Sequence, residues 1–194
     1  MIDTEDIKNL RAETGAGIMD IKNALEEASG DAEKAKEILR KKGAAIATKK
    51  GSRQTKEGVV VSYVHAGGRV GVLLKLYCET DFVAKTKEFQ TLAGDIAMHI
   101  AAMDPQYLSR QNIPADVIEA EKSIYKEQLV NANKPDEVME KILEVKIDKF
   151  VQENCLPEQS FVKDSDKNVR QLIEEHIAKL GENIQIGEFV RYEL

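Results

Sequence analysis

Residues 58–78 carry the strongest constraint on what this chain can fold into. Two runs in which every second residue is apolar meet at Gly67-Gly68. In 58–66, Val59, Val61 and Tyr63 share one phase with His65; in 69–78, Val70, Val72, Leu74, Leu76 and Cys78 share one phase. Side chains alternate between the faces of a strand, so each run offers one apolar face. The two glycines supply the positive φ angles of a two-residue hairpin turn. An antiparallel β-hairpin is the expectation. Such a hairpin is marginal alone and needs another strand and a covering layer. Ile184 to Tyr192 reads as that strand, with Gly187 a candidate bulge.

Helical spacing supplies the cover. Phe89, Leu92, Ile96, Ile100 and Met103 form an apolar stripe on a long helix predicted from Val83 to Met103. Pro114 and Pro135 sit at first-turn positions of two further helices. The first carries Val117, Ile118, Ile124, Tyr125 and Leu129; the second carries Val138, Ile142, Leu143 and Phe150. A last helix, predicted to start near Asp166, carries Val169, Leu172, Ile173, Ile177 and Leu180 and stops at Gly181.

The first fifty residues parse into three short helices. Asp3 or Thr4 can cap the first, which carries Ile7 and Leu10 and stops at Gly15. The second carries Ile18, Ile21 and Leu25 in phase; Asp31 caps the third, which carries Ala35, Ile38 and Leu39 and is predicted to end at Gly43. Helices this short bury one another only as a bundle with a small core. Lys49 to Lys56 then reads as a basic linker. The predicted organisation is a three-helix domain over 1–50, a linker over 51–56 and a core domain over 57–194. The fold class is α+β, with a three-stranded antiparallel sheet packed by helices. Its two open edges invite another chain, so self-association is expected.

Charge and composition narrow the functions. At 42% hydrophobic and 32% charged, the chain of 194 residues reads as globular. No apolar run approaches the roughly 18 residues of a membrane span, and the acidic start lacks the pattern of a signal peptide. A cytoplasmic location is expected. Cys78 and Cys155 lack metal-ligand spacing and read as reduced thiols. The net charge of −6 argues against broad nucleic-acid binding. A basic cluster at Arg40, Lys41, Lys42, Lys49, Lys50, Arg53 and Lys56 reads either as a solvated helix end and linker or as an RNA or ribosome contact.

Catalytic signals are sparse. The sequence contains no Walker loop, GxGxxG, HExxH or GxSxG, and no cofactor or metal ligand set is expected. Of His65, His99 and His176, the last falls between Ile173 and Ile177 and reads as a packed or rim histidine. Cys78 and His65 on one hairpin raise a thiol nucleophile with its base, but Cys78 continues the apolar alternation and reads as buried. The informative segment is Glu79-Thr80-Asp81-Phe82-Val83, where the second strand gives way to the long helix. Thr80 or Asp81 suits a helix cap. Phe82 lies seven residues before Phe89, so it either continues the buried stripe or projects as an exposed wedge; periodicity leaves both open.

Three collinear segments resemble the elongation factor Ts family. Thr14-Gly15-Ala16-Gly17-Ile18-Met19-Asp20-Ile21-Lys22, followed by Ala24-Leu25, is similar to its amino-terminal signature. Cys78-Glu79-Thr80-Asp81-Phe82-Val83-Ala84 resembles its central signature. Phe161-Val162-Lys163-Asp164 and Phe189-Val190-Arg191-Tyr192-Glu193-Leu194 resemble its carboxy-terminal core. The resemblance implies a non-enzymatic guanine-nucleotide exchange factor acting on elongation factor Tu. It implies a ubiquitin-associated-like fold for the first fifty residues, which would dock on the partner through Arg11, Met19 and Lys22. It also implies that Thr80, Asp81, Phe82 and Val83 form the intrusive element, with Phe82 the wedge near the partner's Mg2+ and phosphate site. Longer members carry a second copy of the sheet core and a protruding helical hairpin. This chain resembles the short form, for which a homodimer and a heterotetramer with two partner chains are implied. A ubiquitin-like-protein adaptor, an RNA-associated factor and a thiol enzyme are the competing readings.

Overall fold

The computed structural model describes residues 3–129 and 135–194. Helix α1 spans Thr4–Thr14: the Asp3 carboxylate accepts from Glu5 N–H at 3.1 Å, and Gly15, at φ 65°, closes its far end. Helix α2 spans Ile18–Glu27, and α3 spans Ala32–Lys50 behind the Asp31 cap. Leu10, Ile21, Ala24, Leu25, Ala28, Ala35 and Leu39 form a small core between these helices, separate from the main one. Ile18 is not part of it; half its surface (50%) is exposed.

Helix α3 runs through Gly43, where the sequence predicts its end, and takes in Lys49 and Lys50 from the expected linker. Gly43 is buried, and a Cβ built there would meet Ala178 Cβ at 3.8 Å. Beyond it Ala47 enters the main core. A mid-helix glycine costs about 1 kcal/mol against alanine. Tertiary packing of the helix's second half offsets that cost, which local propensity does not reveal.

Strands β1 (Glu57–Val64) and β2 (Val70–Cys78) pair antiparallel, with Val64 opposite Gly71. The connection is longer than the two residues predicted. His65 N–H donates to Val70 O and Gly68 N–H to His65 O, both at 2.9 Å, so residues 66–69 form the loop. Gly67 and Gly68 do adopt positive φ, 90° and 70°. Helix α4 (Asp81–Ala84) is a single turn and α5 (Lys87–Met103) follows, so the predicted long helix from Val83 is two helices. Thr86 breaks it: its Oγ1 accepts from Phe89 N–H at 3.2 Å and caps α5 afresh. Helices α6 (Ala115–Leu129) and α7 (Asp136–Asn154) pack on each other, with Pro114 and Pro135 immediately before them.

A short hairpin not anticipated from the sequence follows, β3 (Ser160–Phe161) with β4 (Asp164–Asn168). Two residues of strand leave no period to read. Helix α8 (Val169–Leu180) therefore starts three residues later than predicted from Asp166. Asn168 and Gln171 cap it reciprocally and Gly181 ends it at φ 76°. Strand β5 (Gln185–Glu193) completes the sheet in the order β1-β2-β5, antiparallel throughout. Its register slips where Leu74 pairs with Phe189 and Leu76 with Ile186. Gly187 lies in that bulge, where a Cβ would stand 2.4 Å from Tyr77 Cε2.

One face of the sheet, with Val72, Leu74, Leu76 and Cys78, packs on Phe89, Leu92, Ile96 and Ile100 of α5. Among the described residues, no element covers the other face. Ser62, Leu73 and Val190 line up across it in register, as do Val64, Gly71 and Tyr192. Val64, Leu73, Val190 and Tyr192 are all exposed.

Because the space at Gly43 accepts a methyl at ordinary contact distance, Gly43→Ala should stabilise the chain by about 0.5–1 kcal/mol. Chemical denaturation measures it; a loss of stability would mean that α3 and α8 cannot tolerate the added carbon.

Candidate functional site

The segment singled out in the sequence forms the corner between β2 and α5. Thr80 is the cap of α4, its Oγ1 accepting from Val83 N–H at 3.4 Å. The same hydroxyl donates to Glu182 Oε1 at 2.6 Å. Glu182 Oε2 accepts from the backbone N–H groups of Glu79 at 3.1 Å and Thr80 at 3.0 Å. The Glu79 carboxylate in turn accepts from Asn183 N–H at 2.6 Å and faces Arg53 Nη1 at 3.5 Å. Buried Asn183 donates through Nδ2 to Arg53 O at 2.8 Å. Lys50, the last residue of α3, donates to Gly181 O at 2.6 Å. Three chain segments thus meet at this corner: the end of α3 with its linker, the β2–α4 junction and the α8–β5 turn.

Phe82 stands out from that corner with 80% of its surface exposed. The break at Thr86 takes α4 out of line with α5, so Phe82 does not continue the stripe that buries Phe89. Ala84 is buried and Val83 packs against the main core, so the turn is seated on the side beyond Phe82. Asp81 forms an ion pair with Lys85 at 2.6 Å. Hydrogen bonding to that ammonium holds the Asp81 carboxyl below the usual carboxylate range, so it is ionised at neutral pH.

The second group of predicted residues lies on the outer surface of the bundle. Met19 is 66% exposed, and Lys22, one helical turn further along α2, is exposed beside Glu26 at 4.0 Å. Arg11 is exposed in the last turn of α1.

The alternatives weighed in the sequence meet different surroundings. Cys78 lies opposite Glu57 at one end of the hairpin, whereas His65 lies beyond Val64 at the other. Burial, reinforced by the nearby Glu182 charge, pushes the Cys78 thiol up to about 11. His99 is fully buried; its Nδ1 accepts from Val162 N–H at 3.2 Å, leaving Nε2–H for Gln159 Oε1 at 3.0 Å. In the basic cluster Lys41 pairs with Glu37 and Lys42 with Asp20, while Lys50 and Arg53 are engaged at the corner. Among the described residues no helix is long and apolar enough to cross a membrane.

Sequence reasoning missed Glu182 and Asn183. They read as turn residues between a helix stop and a strand. Nothing local reveals that Glu182 reaches a partner 102 positions earlier.

Fold and site together define an α+β protein that presents one exposed aromatic on a braced corner and a second exposed set, Arg11, Met19 and Lys22, on a small helical bundle. A family model described as "Elongation factor TS" matches residues 5–194. Elongation factor Ts of Fervidobacterium nodosum is 56% identical over 193 residues, covering 100% of this chain and 98% of that one. Those of Thermosipho melanesiensis (99% and 98% covered) and Syntrophomonas wolfei (100% and 91%) are each 55% identical. The chain belongs to the elongation factor Ts family.

With its thiol raised and buried, Cys78 should react with a disulfide reagent at pH 7.5 about a hundredfold more slowly than in the unfolded chain. Rapid labelling of the native protein would instead revive the nucleophile reading.

Proposed function

We propose that this chain is a guanine-nucleotide exchange factor for elongation factor Tu, serving translation elongation in the cytoplasm and making or breaking no covalent bond. Family membership supports the partner. The observation that carries the mechanism is the exposure of Phe82 on a corner whose backbone is held from two sides.

The bundle, read as ubiquitin-associated-like, docks first, through Arg11, Met19 and Lys22. Docking brings Thr80, Asp81, Phe82 and Val83 to the partner's nucleotide site. Nucleotide there is held by phosphate contacts and a Mg2+ ion, so a competitor need only distort their surroundings. An aromatic ring is stiff and buries a large apolar area, which suits it to wedge between partner side chains. Ionised Asp81 beside it disfavours the return of the phosphates and competes for groups around the cation. No proton transfer is needed. The factor binds the nucleotide-free partner more tightly than the loaded one, and by reciprocity it weakens nucleotide binding by the same factor. The exchange has no built-in direction; an excess of GTP over GDP sets it.

A homodimer completes the assembly, giving a heterotetramer with two partner chains. The open sheet face supports this, since Val64, Leu73, Val190 and Tyr192 form an apolar patch that an identical patch can cover. The net charge of −6 and the internal pairing of much of the basic cluster favour a protein partner over a nucleic acid. No membrane is involved.

Phe82→Ala should slow release of fluorescent GDP from elongation factor Tu by roughly tenfold or more at saturating factor, as for loss of a hot-spot aromatic. Its melting temperature should move by less than about 2 °C, because little is buried. A variant that exchanges normally, or that unfolds, removes the wedge. Separately, Leu73→Asp should sediment at half the mass of the parent; a dimer that survives this charge pairs through some other surface.

A further inference from the structure

An aromatic ring that leaves four-fifths of its surface in solvent is aimed chiefly by the backbone that carries it. For Phe82 that backbone is α4, four residues long and far too short to persist by itself. Its own bonds, Ala84 N–H to Thr80 O and Lys85 N–H to Asp81 O, both 3.2 Å, are internal to the turn and cannot orient it against the rest of the molecule. On the far side, Val83 and buried Ala84 seat it on the core. On the near side, the Cys78 thiol donates to Thr80 O at 3.2 Å, but Cys78, the last residue of β2, is only two residues away along the chain. Among the described residues, the distant hydrogen bonds to the backbone entering this turn and to its Thr80 cap are those of one side chain, Glu182, while Asn183 N–H and Arg53 engage only the Glu79 carboxylate.

We propose that Glu182 is a positioning residue for the Thr80–Val83 motif: its carboxylate pins residues 79–80 so that Phe82 is presented at a fixed angle. The inference rests on the wedge reading above. Both carboxylate oxygens are used. Oε2 collects two successive backbone N–H groups, and Oε1 takes the Thr80 hydroxyl proton. That second bond turns the lone pairs of Thr80 Oγ1 toward Val83 N–H, so the carboxylate also sets the cap of the turn that bears Phe82. Such bonds to an ionised acceptor are about twice as strong as neutral ones, and negative charge beside free N–H groups at a helix start is favourable. A glutamine replaces it only in part: with its carbonyl oxygen on the backbone pair, its amide N–H would face Thr80 Oγ1, which would lose its acceptor and have to accept that N–H as well as the one from Val83.

The test is stopped-flow release of fluorescent GDP from elongation factor Tu across a titration of the factor, which separates the maximal release rate from the half-saturating concentration. Glu182→Gln should lower the maximal rate about tenfold, as for loss of a charged hydrogen bond, and shift half-saturation by less than about twofold, because the bundle still docks. In a Phe82→Ala background Glu182→Gln should slow release no further, since it acts through the ring. Equal slowing in both backgrounds, or a change confined to half-saturation, overturns the proposal. Should Glu182→Gln not fold, Glu182→Asp carries the same comparison, since it keeps the charge but withdraws it by one methylene from the N–H groups of Glu79 and Thr80. It should slow release in the parent and add nothing in the Phe82→Ala background; slowing of equal size in both overturns the proposal. The two readings fail differently. Phe82→Ala at the parent rate sinks the wedge and this inference with it, whereas slow Phe82→Ala with Glu182→Gln at the parent rate sinks the inference alone.

Discussion

An apolar ring held out in water forgoes the roughly 1.5–3 kcal/mol that burying it would contribute. Phe82 is in that position, on a chain with only five phenylalanines and no tryptophan to fill its cores. The rest of the site follows from how that ring is kept out. Thr86 interrupts what would otherwise be one helix, so the turn carrying Phe82 is freed from the stripe that buries Phe89. The freed turn then needs anchors, and it has them on both flanks: the core takes Ala84, and the α8–β5 turn takes Glu79 and Thr80. Exposure without these anchors would give a mobile ring, and a mobile ring makes a poor wedge.

The same corner joins the two surfaces proposed to dock. Helix α3 leaves the bundle, packs along α8 and ends with Lys50 bonded to Gly181 O. The next two residues of α8–β5 hold the wedge backbone and the linker carbonyls of Gly51 and Arg53. Bundle and wedge are therefore connected through a helix and a few hydrogen bonds, with no long flexible tether between them. Two surfaces held at set separation can engage one partner with less entropy lost on the second contact.

Much of this was legible in the chain because it is written in local periods. The alternation around Gly67-Gly68 located β1 and β2, and Gly187 marked the bulge in β5. Asp31, Gly15 and Gly181 marked helix ends. The misreadings arose where tertiary packing outweighs a local preference or an element is too short to have a period. Gly43 reads as a stop, yet α8 keeps the helix going. The strand β3 has two residues. Spacing could place Phe82 either way, and only the second cap at Thr86 decided it. That signal was available, as was the reciprocal cap of Asn168 and Gln171. Glu182 was not legible at all, since its partners are distant in sequence and near only in the fold.

The central claim is that the Phe82 ring is offered to a partner and meets it. Fluorine NMR of the chain carrying 4-fluorophenylalanine tests this most directly, with the resonance of position 82 assigned by its loss in a substituted chain. The account predicts a resonance sensitive to solvent in the free protein that shifts on adding nucleotide-free elongation factor Tu, while that of buried Phe89 stays in place. A position-82 resonance shielded from solvent in the free chain, or unmoved at saturating partner, would contradict it.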